Sequence, residues 1–75
     1  MNRAALLNQL EQANADVAEG EKRIARQEDV IHQLDRNGPA GINAEEYLRV
    51  LESMQAARVA HRDLLASELT TANRQ

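Results

Sequence analysis

The groups in this 75-residue chain that could do chemistry are two histidines, His32 and His61, two serines, Ser53 and Ser67, and twelve acidic residues. A histidine becomes a metal ligand when partner ligands stand at helical spacing, as in HExxH. Neither histidine belongs to such a set. His32 has Glu28 four residues before it and Arg36 four after, the pattern of a solvated helix face. There is no cysteine, which excludes disulfides and cysteine-based zinc sites. A nucleophilic serine needs a base and an orienting carboxylate, and neither serine has them at a suggestive spacing. Carboxylates on an exposed helix have no cleft to shift their acidity. Gly38 and Gly41 flank Pro39 and lead into a segment without the Lys-Ser/Thr step of a phosphate-binding loop. The residues therefore predict no enzyme, no cofactor and no metal. What remains is His61 as a pH-sensitive contact, should it lie in a seam between chains.

The elements that carry these groups are two helices. The breaker Asn37-Gly38-Pro39-Ala40-Gly41 divides the chain into helix-patterned halves, predicting a helix over about 3–36, a turn over about 37–43 and a helix over about 44–71. In the first half Leu6, Leu10, Ala13, Val17, Gly20, Ile24, Gln27, Ile31 and Leu34 recur at alternating steps of four and three, a coiled-coil seam. In the second, Asn43 reads as an N-cap, Glu46 as its capping-box partner, and Ile42 with Tyr47 as a hydrophobic staple. The apolar face then runs Tyr47, Leu51, Met54, Leu65 and Leu69, widened by Leu48, Val50, Ala57 and Leu64. Gly38 suits a left-handed helix ending, and Pro39 forbids the first helix from continuing. So short a link makes the helices antiparallel neighbours. Folding about Ala40 sets Leu34 against Tyr47 and Leu48, Ile31 against Leu51, Ile24 against Ala57, Val17 against Leu64 and Leu65, and Ala13 with Leu10 against Leu69.

Bulk composition bounds the rest. Thirteen of the hydrophobic residues are alanine and sixteen are Leu, Ile or Val, with no Phe or Trp and one Tyr. Alanine supports helix more than core, so the core is thin and wants a second layer. A net charge of -3, with Lys22, Arg23, Arg26, Arg49, Arg58 and Arg62 spread along both halves, argues against a nucleic-acid binder. The apolar runs are short, and the start, Met1 to Gln9, lacks the apolar stretch of a secretory signal. No membrane role and a cytoplasmic location are the expectation.

Two irregularities interrupt the pattern. Gln27 and Gln55 fall near one another in the proposed register, a polar layer of the kind that fixes helix alignment. Gly20, costly in a helix interior, lies opposite Arg58 and His61 and would make room for one of them, with Glu21 pairing to Arg58. Arg58 could equally run its aliphatic stem along the surface. The second helix also shows more apolar width than one partner covers. The residues left over, and so the candidate association surface, are Val50, Met54, Ala57, His61 and Leu64.

The run Val17-Ala18-Glu19-Gly20-Glu21-Lys22-Arg23-Ile24-Ala25-Arg26-Gln27 resembles short uncharacterised helical-hairpin proteins of soil and symbiotic bacteria, which carry V-A-E-G-E-[RK]-[RH]-I-x-R-Q. The likeness continues through Ile31 to Gly38, near a family L-[ED]-R-D-G turn, and resumes at Leu48 to Leu51 and at His61-Arg62-Asp63. The chain departs where Asn37 and Pro39-Ala40-Gly41 replace a more acidic segment. The resemblance implies a stand-alone bacterial hairpin and brings no activity or functional residue with it.

These readings converge on a single all-α domain over 1–75, an antiparallel two-helix hairpin of coiled-coil type assembling into a dimeric four-helix bundle. The function expected is a non-enzymatic protein-protein interaction module, a regulator or adaptor that forms a homodimer through its second helix or meets another protein partner. The rivals are a structural spacer, a nucleic-acid or membrane-surface accessory using Arg23, Arg26, Arg58 and Arg62, and a ligand or metal bundle pairing His61 with its symmetry mate.

Overall fold

The computed structural model describes residues 2–34 and 38–73. It contains two helices, α1 (Arg3–Gln33) and α2 (Pro39–Asn73), which pack against each other along their length as a rod of 57 × 14 × 13 Å. Asp35, Arg36 and Asn37, which the sequence reading divided between the end of the first helix and the turn, lie outside the described residues.

α1 starts where Asn2, in extended backbone, accepts a hydrogen bond on Oδ1 from the Ala5 N–H at 2.7 Å, while its carbonyl accepts from Leu6 at 3.1 Å. This satisfies a first-turn donor that would otherwise be orphaned. The helix then runs through strong helix formers, chiefly Ala, Leu, Glu, Gln and Arg. It ends at Gln33. Leu34 turns to φ -105°, ψ 154°, and its N–H reaches back to the Ile31 carbonyl at 3.1 Å. The left-handed ending expected at Gly38 is therefore not how α1 stops, and no glycine among the described residues has a positive φ.

The start of α2 corrects the sequence reading more strongly. The helix begins at Pro39, and the Gly38 carbonyl accepts the Ile42 N–H at 3.1 Å. Proline is well placed there, because its fixed φ is already helical and its missing N–H would have had no partner. Asn43 accordingly lies inside the helix rather than at its cap, and Ile42 and Tyr47 are exposed rather than stapled. The earlier start brings Gly41 and Ala44 into the contact, both buried against α1.

Every residue of the first-half seam, from Leu6 to Leu34, is buried or half-buried. Its counterpart on α2 is a second unbroken seam with steps of three and four: Gly41, Ala44, Leu48, Leu51, Gln55, Arg58, Arg62, Leu65, Leu69 and Ala72, again all buried or half-buried. It differs from the expected face, which had included Tyr47 and Met54. Those two are 55% and 45% exposed. The register also shifts by more than a turn: where a fold about Ala40 pairs residue numbers that sum to roughly 80, Gly20 meets Gln55, Val17 bonds Gln55 and Gln27 bonds Ala44, each at a position earlier in α2. The link lies between Gln33 and Pro39, so its centre falls before Ala40.

Packing is apolar at both ends of the rod. Leu6, Ala13 and Leu65 form a buried cluster flanked by Leu10, Leu69 and Ala72, and Ile31, Ala44 and Leu51 are buried toward the link. No side chain is sealed completely from solvent among the described residues. Such a core stabilises a small domain only marginally.

Candidate interaction surface

Side chain to backbone bonds from two glutamines also hold the helices together, one near the middle of the rod and one toward the link. Gln55 donates from Nε2 to the Val17 carbonyl at 2.9 Å, and Gln27 donates from Nε2 to the Ala44 carbonyl at 2.9 Å. A helical carbonyl has a second lone pair beyond its ladder bond, so neither helix gives up a bond. The two glutamines thus do not pair with each other as the sequence suggested; each crosses the hairpin to the opposite backbone.

Gly20 makes room chiefly for Gln55. A Cβ at Gly20 would collide with Gln55 Oε1, and would lie 2.8 Å from Gln55 Cδ and 3.2 Å from Arg58 Nη1. Oε1 is buried against this glycine and has no conventional hydrogen-bond partner. Arg58 is half-buried over the same spot, at a shallow groove lined by Asp16, Glu19, Gly20 and Arg23. The expected Glu21–Arg58 ion pair does not form among the described residues. Glu19 instead stands 4.0 Å from Arg23 Nε and 3.6 Å from Arg26 Nη2, in exposed pairs that contribute little to stability. His61 is exposed and takes no part in the room made by Gly20.

Outside the seam, α2 carries a second stripe. Tyr47, Val50, Met54, Ala57, His61 and Leu64 follow one another at steps of three, four, three, four and three. Each stands one residue before a seam position, which turns the stripe about 100° away from the side that faces α1. All six are exposed, including Val50 at 52% and Leu64 at 57%. The five candidate association residues thus share one continuous face, and Tyr47 extends it toward the link. Beside Tyr47, α1 contributes Arg23, Arg26 and the exposed Val30 to an open groove that reaches Gln27 and Leu51. On the far flank of the stripe stand Glu46, Ser53, Ala60 and Ser67, all exposed and mostly small.

The remaining chemistry-bearing residues are dispersed. His32 lies in a separate open groove with Glu28, Ile31, Glu45, Leu48, Arg49 and Glu52 near the link. Among the described residues no three acidic or histidine side chains converge in a way that could hold a metal ion, and no helix is long and apolar enough to cross a membrane. The expected α2 face held Leu48, Leu51, Leu65 and Leu69 of the true seam but mixed them with Tyr47 and Met54, although a signal for the phase existed: Leu51 and Leu65 are two heptads apart, as are Leu48 and Arg62. Carrying that phase through Gln55, Arg58 and Arg62 locates the buried side. Compared with known protein families, curated proteins and solved structures, the chain matches none.

Proposed function

We propose that this protein is a non-enzymatic interaction module that works by pairing the outer stripe of α2 with another helix, and that it self-associates into a four-helix bundle. The observation that supports the reading is the presence of two heptad stripes on one helix, of which α1 covers only the inner. An isolated helix face with apolar residues at three-four spacing is the half of a helix-helix contact. Removing such a face from water on association is favourable, and a hairpin with a thin core gains stability from the added layer.

Molar mass measured by sedimentation over a wide concentration range, with helicity recorded on the same samples, tests this. A discrete helical dimer is expected. Replacing Met54 and Leu64 together by Glu should leave a helical or partly unfolded monomer at concentrations where the parent chain is dimeric. A dimer that survives this double change would remove the outer stripe as the contact surface. Growth without a closed stoichiometry would favour a spacer or scaffold role for the 57 Å rod.

A further inference from the structure

Resting on that reading, we infer that the occupant of the outer stripe is a second copy of the chain lying antiparallel, on a two-fold axis that passes α2 between Gln55 and Ala56 and α1 near Glu21. The first observation is the order of side-chain sizes along the stripe. Reversed about that point, the stripe maps onto itself: Tyr47 meets Leu64, Val50 meets His61, and Met54 meets Ala57. Every pair sets a larger side chain against a smaller or differently shaped one, so facing layers interdigitate. A parallel pairing would instead set Ala57 on Ala57, leaving a gap, and His61 on His61. The small flank of Ser53, Ala60 and Ser67 lets the two α2 helices approach closely.

The second observation is charge, on the other helix. On α1 the residues bordering the same side of the rod are Asp16, Glu19, Arg23 and Arg26, as their grooves with Arg58 and Tyr47 demonstrate. They too are symmetric about a point, Glu21, but with opposite sign: Asp16 reflects onto Arg26 and Glu19 onto Arg23. Gly20 lies level with Gln55 and Arg58, so the centres of the two patterns coincide along the rod. One axis therefore brings apolar pairs together between the α2 helices and acid-base pairs together between the α1 helices, each pair occurring twice as two-fold symmetry requires. Complementary charge of this kind selects partner and orientation.

The third is area. α2 runs from Pro39 to Asn73, so its midpoint coincides with the axis and the two rods overlap from end to end. The rod outlines a face of 57 × 14 Å, so only an overlap along its whole length lets the contact approach the roughly 800 Å² per partner of a specific stable interface. An offset pairing would cover less.

Single-cysteine variants Ser53→Cys and Ser67→Cys, each spin-labelled, test the arrangement in the chain that otherwise has no cysteine. With a rise of 1.5 Å per residue and helices 8–10 Å apart, the antiparallel pair predicts labels under about 20 Å apart at position 53 and about 35 Å apart at position 67. A dimer with both labels close is parallel and overturns this inference while leaving the outer stripe as the contact. A dimer with both distances long uses another face and overturns both. An unlabelled parent chain that is monomeric at every concentration does the same. The charge pattern has its own readout: Arg23→Glu with Arg26→Glu makes the α1 face wholly acidic and should weaken the dimer roughly tenfold or more. Restoring the balance with Asp16→Arg and Glu19→Arg in the same chain should recover it. Loss of affinity that the compensating changes fail to restore overturns the acid-base pairing.

Discussion

Leu64 and Leu65 are neighbours in the sequence with opposite surroundings: Leu65 is 4% exposed in the cluster with Leu6 and Ala13, and Leu64 is 57% exposed on the outer stripe. The same contrast runs along the whole of α2. The inner seam tolerates Gln55, Arg58 and Arg62, yet it is the buried one, whereas the outer stripe from Tyr47 to Leu64 holds no acidic residue, lysine or arginine. Apolar content alone does not decide which stripe a hairpin closes on. The inner seam wins because its small residues, Gly20 on one helix and Gly41 and Ala44 on the other, let the backbones approach and let glutamine amides reach backbone carbonyls. The outer stripe leaves its apolar side chains exposed.

The largest effect that would sharpen this comparison is a pair of alanine substitutions. Leu65→Ala should cost about 2–5 kcal/mol, enough to unfold most of a marginal hairpin. Leu64→Ala should change the stability of dilute protein by within about 0.5 kcal/mol and act on association instead. Urea unfolding at one fixed low concentration separates the two, and equal losses at both positions would erase the distinction between seam and stripe.

A middle-sized effect compares the helix starts. Asn2→Ala removes the side-chain bond to Ala5 and should cost about 1 kcal/mol, whereas Asn43→Ala, inside α2, should cost less or even add stability. A larger loss at Asn43 would mean that α2 starts at the sequence's cap after all. Gln55→Ala should likewise lose about 1 kcal/mol with its bond to the Val17 carbonyl.

The smallest net change carries the finest information. Gly20→Ala gains helix propensity of about 1 kcal/mol but displaces the Gln55 amide, losing about as much. The sum should lie near zero. In the Gln55→Ala background the obstacle is gone, and the same change should stabilise by about 1 kcal/mol. A double-mutant cycle with no coupling would show that Gln55 does not occupy the space beside Gly20.

Much of this architecture was legible in the residues. The three-four recurrence from Leu6 to Leu34 marks the buried side of α1, and the Asn-Gly-Pro-Ala-Gly interruption marks two helices joined by a short link. The five residues from Val50 to Leu64 could be picked as surplus because apolar width exceeded what one partner covers. The α2 seam was harder to read, because hydrophobicity marks Tyr47 and Met54 and passes over Gln55, Arg58 and Arg62. A long polar side chain can be half-buried when its stem packs and its head finds a carbonyl or the rim, and hydropathy does not register that. The cap at Asn43 failed for a related reason: its local pattern was sound, but Pro39 offered an earlier start that packing against α1 rewards.

By itself, then, the sequence determined that the chain is two long helices with heptad phase and alanine-supported propensity, since periodicity and turn chemistry act locally. Which of two parallel stripes on α2 faces inward was decided only in the tertiary structure. So were the half-turn settings that bring Gln27 to Ala44 and Gln55 to Val17 and Gly20. Those outcomes depend on how closely two backbones can approach and on which polar atoms find partners across the gap. Both are properties of a pair of surfaces, and neither is written in one helix alone.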